Sequence, residues 1–313
     1  MSRPRRGAPV SDLRARFRGV LLGLAAGDAL GAPAEFLSAE QVVERYGVIT
    51  EMIGGGCHEV EPGETTDATE MMLCLAESLA ETGDFEPEDV MERYRAWFES
   101  TPRDVSLTVR TVMLSYRAGT PWDLASRRAF EILGQPMAGN GSLMRCAPIA
   151  LRYFRDPDER RLVSQRESTL THFDRLAGWA CEAFNDLLVA AMSDRLLDEV
   201  PRLAERVTDE DSRVSAALFD ALLAEPEEVE CSAFVLDSLK AALWAVARSA
   251  SVEEALCLIV NKGNDADTVG AITGALAGAV HGEAGIPARW RSALRGADRV
   301  VSAADRLADL ASA

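Results

Sequence analysis

GVLLGLAAGDALG, residues 19–31, and NDADTVGAITGALAGAVH, residues 264–281, are the two stretches whose reading decides the fold. Small residues recur in them every four positions: Gly19, Gly23, Gly27 and Gly31 in the first, Gly270, Gly274 and Gly278 in the second. That interval puts them on one helix face and strips it of side-chain bulk, so two backbones can approach closely. Glycine inside a helix costs about 1 kcal/mol against alanine, so a repeated stripe needs a packing or functional reason. Packing alone would account for it. The sharper expectation is that close packing brings the acidic ends of these helices together.

Outward from these stretches, apolar residues keep helical spacing through most of the chain, while alternating β-branched runs are almost absent. The spacing predicts helices over roughly 12–27, 68–82, 88–99, 106–118, 123–133, 141–151, 172–192, 211–224, 232–249, 251–260 and 267–281. No low-complexity linker divides them. The expected architecture is an all-α bundle, with residues 1–11 as a flexible N-terminal arm and 12–313 as one domain.

The 313 residues are 48% hydrophobic and 27% charged, which fits a globular protein and not a disordered one. A formal charge of -17 argues against a general nucleic-acid or acidic-membrane binder, though not against a small anion held locally. The six cysteines are scattered without a CxxC pair, as expected of free thiols in a reducing compartment. The basic start leads into no apolar signal segment, and the run Val20 to Ala34 is broken by Asp28 and Pro33. The chain therefore reads as cytoplasmic, with no membrane partner, and as a monomer.

Three acidic clusters stand at expected helix starts: Thr65-Thr66-Asp67-Ala68-Thr69-Glu70, Asn264-Asp265-Ala266-Asp267-Thr268, and Asp104 in Pro102-Arg103-Asp104-Val105-Ser106. Helix capping is the plain explanation for each, since Asp and Thr there satisfy orphan N–H groups. Asp265 and Asp267 together exceed what one cap requires. Oxygen-only clusters suit hard cations such as Mg²⁺ or Mn²⁺, and Asp67 offers the facing half of a two-metal site.

The histidines His58, His172 and His281 form no zinc pattern. His58 and His281 read as surface or structural residues; His172, expected at a helix start, is a candidate for ligand contact or for structure. Gly54-Gly55-Gly56 reads as a loop able to approach a ligand. Gly139-Asn140-Gly141-Ser142, read as opening the 141–151 helix, could aim backbone N–H groups at phosphate.

In order along the chain, these pieces resemble the ADP-ribosylglycohydrolase family. The matching stretches are Gly27-Asp28-Ala29-Leu30-Gly31 with Glu35, Pro62-Gly63-Glu64-Thr65-Thr66-Asp67-Ala68-Thr69, Asp104 with its neighbours, Gly139-Asn140-Gly141-Ser142-Leu143-Met144-Arg145, Thr171-His172, and Asp265-Ala266-Asp267-Thr268. The resemblance implies a compact orthogonal helical bundle holding two Mg²⁺ or Mn²⁺ ions. It implies Thr66, Asp67, Asp265, Asp267 and Thr268 as metal ligands, and Glu35 and Asp104 as carboxylates for acid/base or substrate-hydroxyl work. Asn140, Gly141, Ser142 and His172, with Gly54 and Gly55, would line the ADP-ribose groove. The implied reaction removes ADP-ribose from a protein side chain, with arginine the leading acceptor.

The sequence departs from the family at Ala68, where a second aspartate of Thr-Asp-Asp-Thr is usual, and more mildly at Ser106, where glycine is common. Losing a carboxylate from a two-cation site weakens one metal. Two rivals follow: a non-catalytic ADP-ribose-binding or structural protein on the same fold, and an unrelated helical scaffold whose acidic turns are merely caps.

Overall fold

A computed structural model describes residues 10–134 and 138–312. Residues 1–9 of the expected arm lie outside the described residues, and the first helix already begins at Val10. Sixteen α-helices follow among the described residues. The first six are α1 (Val10–Gly31), α2 (Ala39–Tyr46), α3 (Asp67–Thr82), α4 (Pro87–Glu99), α5 (Leu107–Arg117) and α6 (Trp122–Leu133). Next come α7 (Ala147–Arg152), α8 (Pro157–Thr169), α9 (Arg175–Met192), α10 (Leu196–Val207) and α11 (Ser212–Leu223). The chain closes with α12 (Val235–Arg248), α13 (Val252–Val260), α14 (Ala266–His281), α15 (Ala288–Ala293) and α16 (Ala297–Ser312). β-Pairing among the described residues is limited to isolated bridges, such as Gly55 with Val60. The all-α expectation holds.

The glycine stripes form the central seam. A Cβ added at Gly23 would lie 2.1 Å from the Gly274 carbonyl oxygen, and one added at Gly274 would lie 1.9 Å from that of Gly23. The same mutual closeness pairs Gly19 with Gly278 and Gly27 with Gly270, while Gly31 meets Ala266. As the numbers rise along α1 they fall along α14, so the two helices run antiparallel in backbone contact. Apart from its last two residues, α14 is buried on every side, as a helix apolar all round must be. The buried apolar residues from Leu13 to Ala308 form one connected cluster around this seam. Both readings of the stripe hold: it is packing, and it carries the end of α1, with Asp28, against the start of α14, with Asp267.

Several boundaries differ from the expected ones. The helix expected at 141–151 begins only at Ala147, because Pro148 lacks an N–H and is tolerated only in a first turn. Residues 140–145 form turns instead, with Met144 N–H donating to the Asn140 carbonyl at 3.0 Å. His172 precedes α9, which is capped by Asp174 through a 3.0 Å bond from Leu176 N–H. Helices α2, α8, α10, α15 and α16 were not among the expected segments. For α8 the cause is plain: its buried face is largely polar, with Arg160, Ser164, Glu167 and Ser168 beside Val163.

Candidate active site and metal centre

Asp28, on the last turn of α1, is wholly buried and organises the start of α3. Its Oδ1 accepts from the Thr66 N–H at 3.0 Å and the Thr66 hydroxyl at 2.8 Å; its Oδ2 accepts from the Thr69 N–H at 3.0 Å and the Thr69 hydroxyl. Thr66 is the N-cap of α3 yet makes no capping bond with its own side chain. Asp28 does this work from a neighbouring helix, satisfying N–H groups the helix cannot satisfy internally. Burial pushes its pKa up to about 6 against these hydrogen bonds. Sequence reasoning included Asp28 in a motif but gave it no role.

The capping explanation fails for Asp265 and Asp104 as well. Asp265 is the N-cap of α14 without a side-chain capping bond, and its Oδ2 accepts instead from the Asn140 amide at 2.7 Å. Asp104 caps nothing: Ser106 caps α5, accepting from the Val109 N–H at 3.3 Å. Asp267 Oδ1 accepts from the Thr268 N–H at 2.8 Å, and its Oδ2 lies 3.1 Å from the Thr66 hydroxyl. That hydroxyl has one proton, so Asp28 and Asp267 compete for it.

Glu35 follows the short 3₁₀ turn Ala32–Ala34 that closes α1. Glu35, Asp104 and Asp267, from three separate segments, bring carboxylate oxygens within 4.8 Å of one another. Burial, with the charges of neighbouring carboxylates, raises Asp67, Asp104 and Asp267 above the usual carboxylate range, and burial lifts Asp265 to about 6. Asp67 is within hydrogen-bond reach of Asp104. A crevice of about 30 Å³ opens beside them, lined by Thr66, Asp67, Glu70 and Asp104 among others. Clustered, buried oxygen donors whose charges repel one another suit a hard divalent cation.

The structure adds His58, which sequence reasoning set aside. Its Nε2 lies 2.6 Å from Glu35 Oε2 and 3.7 Å from Asp104 Oδ1. The Glu35 bond raises its pKa. Gly54 and Gly56 explain the placement: both have positive φ, and a Cβ on Gly56 would come within 2.4 Å of the Ala32 carbonyl oxygen. The exposed Gly55 completes this turn through its bridge to Val60. The loop thus presses onto the segment carrying Glu35 and delivers Cys57 and His58 beside it. An isolated His in a loop gives no sequence signal for this contact, since Glu35 lies 23 residues away.

The groove residues divide. Asn140 orients Asp265 and also donates to Ser238 Oγ at 2.8 Å. The Ser142 side chain is buried and turned inward, where its hydroxyl accepts from Ser168 at 2.8 Å. His172 is buried against Gly139 and Gly141, and a Cβ on Gly141 would reach 2.9 Å from its ring. Burial, then the nearby Arg145 charge, lowers its pKa to about 3, so the ring is neutral. Arg145 is itself buried, bonded to Glu167 at 2.8 Å and Thr171 at 2.7 Å, and Thr171 passes the chain on to His172 Nδ1 at 2.8 Å. The Thr268 hydroxyl, near Asp265, donates to Met144 Sδ at 3.9 Å. Ala68 is completely buried in the first turn of α3.

The molecule is an all-α bundle whose central seam ends in converging buried carboxylates. The family model described as ADP-ribosylglycohydrolase matches residues 9–313, and the chain belongs to that family. It is 33% identical to the ADP-ribosyl-[dinitrogen reductase] glycohydrolase of Rhodospirillum rubrum over 89% of this chain and 90% of that protein. It is 31% identical to the ADP-ribosylarginine hydrolase Tri1 of Serratia proteamaculans, over 96% of this chain and 80% of that one. A solved ADP-ribosylglycohydrolase-related protein complex superposes with TM-score 0.81 at 36% identity, covering 96% of this chain and 99% of that chain. The family and these relatives are named as glycohydrolases or hydrolases of ADP-ribosyl groups. No helix among the described residues is long and apolar enough to cross a membrane.

Proposed function

We propose that this protein is a cation-dependent hydrolase that removes ADP-ribose from arginine side chains of modified proteins. The observation that carries the reading is the convergence of Glu35, Asp104 and Asp267, drawn from three segments onto one point. The arginine acceptor is supported by the relatives, which include an ADP-ribosylarginine hydrolase.

Two divalent cations, Mg²⁺ or Mn²⁺, are proposed on the chemistry of the donors: Thr66, Asp67, Asp265, Asp267 and Thr268, with Glu35 and Asp104 close enough to share them. When bound, such ions supply charge that polarises water and orients ribose hydroxyls. Ala68 offers a methyl group where a further carboxylate would add to one ion's hold, so that ion is the weaker. The protein side of the reaction is proton movement and positioning. Asp104, partly exposed at the crevice, and Glu35, held by His58, are the groups that take a proton from the water attacking the anomeric carbon of the distal ribose or give one to the departing acceptor nitrogen. Asn140 and Asp28 act through others, fixing Asp265 and Thr66. The transition state is oxocarbenium-like, as in other glycosyl cleavages.

The test is release of free ADP-ribose from an ADP-ribosyl-arginine protein with Mn²⁺, with Mg²⁺, or with chelator. Release that depends on the cation supports the reading. Equal release with chelator would sink the cation dependence; no release despite tight ADP-ribose binding would favour the non-catalytic binder that Ala68 suggests.

A further inference from the structure

A second group of potential metal donors stands beside the carboxylate cluster, and its donors are of another kind. Cys57 Sγ lies 3.5 Å from Glu35 Oε2, and His58 Nε2 lies 2.6 Å from the same oxygen. Sulfur, nitrogen and oxygen are all within 4.8 Å of one another. Zinc binds such donors at about 2.3 Å for sulfur and about 2.1 Å for nitrogen or oxygen, which spaces tetrahedral neighbours by roughly 3.4–3.6 Å. The Sγ to Oε2 distance already matches that edge, whereas the histidine must draw back from Glu35 by under about 1 Å to admit an ion. Asp104 Oδ1 lies 3.7 Å from His58 Nε2 but belongs to the other group, so a water takes the fourth position. Cys57 is exposed, so an ion can reach the site from solvent.

We propose that Cys57, His58 and Glu35 form a site for a thiophilic divalent cation, Zn²⁺ above all, distinct in donor type from the oxygen-only cluster it adjoins. Thiolate and imidazole select zinc, and carboxylate and hydroxyl oxygens select magnesium or manganese. On coordination the Cys57 proton leaves to solvent, and the ion replaces the proton between His58 Nε2 and Glu35; that proton goes to Nδ1 of a neutral ring or to solvent from a charged one. Glu35 belongs to both groups. A zinc ion at Cys57 and His58 therefore draws Glu35 away from Asp104 and Asp267, so zinc acts as an inhibitor where magnesium or manganese activates. Only that inhibitory consequence rests on the proposed hydrolase function.

The experiment reads coordination and not turnover. Co²⁺, the spectroscopic stand-in for zinc, is added to the full chain in magnesium-free buffer. A sulfur-to-cobalt charge-transfer band is expected, bleached by Zn²⁺, absent in Cys57→Ser, and requiring ~10-fold or more Co²⁺ in His58→Gln, at least the loss seen when a supporting metal-site residue is removed. A band unchanged in Cys57→Ser, or no sulfur band in the parent chain, overturns the proposal. Alkylation of Cys57 in the unmutated protein gives an answer independent of variant folding: Zn²⁺ should slow it and Mg²⁺ should not, and equal rates would overturn the site. Because neither readout needs activity, a failed hydrolase reading leaves the result standing.

Discussion

Phe36 sits directly after Glu35 with φ of 62°, a left-handed conformation that aromatic residues rarely adopt, and it is 72% exposed. Its N–H donates to the Asn264 carbonyl at 2.7 Å, and Asn264, itself at φ 56°, donates to Leu37 at 2.7 Å. This double bracket holds a strained backbone beside the site. Phe36→Gly is therefore expected to raise unfolding stability by about 0.5–1 kcal/mol, because glycine adopts this φ without penalty; denaturant titration showing a loss would remove the strain argument. Asp28→Ala acts oppositely. It leaves the first turn of α3 without its four-bond acceptor and should cost roughly 2–3 kcal/mol by the same titration, with activity falling as Thr66 loses its anchor. The roles of these residues depend on long-range partners: position 28 could be seen as part of a motif, but that it caps α3 could not. His58 was invisible for a similar reason, since its partner lies 23 residues away.

Among elements, the α1–α14 seam makes the firmest prediction. Gly274→Ala drives a methyl into the Gly23 backbone, which neither helix can yield cheaply, and overpacking of this kind costs about 1–3 kcal/mol or more. Gly178→Ala in α9 is the control: the nearest atom, Gln165 Cα, would be 3.4 Å from the new Cβ, an ordinary contact. That variant should gain about 0.5–1 kcal/mol from reduced chain entropy. A similar loss in both would show that the seam is not special. The docking of α16 onto α1 adds a pH-dependent contribution. Arg18 grips Asp305 with bonds of 2.7 and 2.8 Å, holding that carboxyl below its ordinary range. A depressed carboxyl stabilises the fold above its unfolded pKa and loses that effect as pH falls through the folded value. The stability gap between the parent chain and Asp305→Asn, near 1 kcal/mol at neutral pH, should thus close on acidification; a gap that persists in acid would assign it to packing. The stripe was legible because four-residue periodicity is local, whereas α8 hid its helix behind a polar buried face and α10 carries Pro201 inside it.

Across the whole molecule, a chain of net charge -17 gathers Asp28, Glu35, Asp67, Asp104, Asp265 and Asp267 at the end of its central seam. Such an arrangement is unfavourable alone and favourable around cations, so Mn²⁺ or Mg²⁺ should raise the melting temperature and chelator should lower it. The fold class and most of the acidic set could be read from sequence because helix starts and seam residues repeat at short range. Which carboxylates meet could not: Glu35, Asp104 and Asp267 lie far apart in sequence, and only the fold brings their oxygens within 4.8 Å. The role of Ala68 tests this account most directly, through turnover of ADP-ribosyl-arginine protein as a function of Mn²⁺ concentration in the parent chain and in Ala68→Asp. Higher turnover at a lower half-saturating Mn²⁺ concentration in Ala68→Asp is the predicted result; a parent chain that saturates with manganese as readily as the variant, at equal turnover, would contradict it.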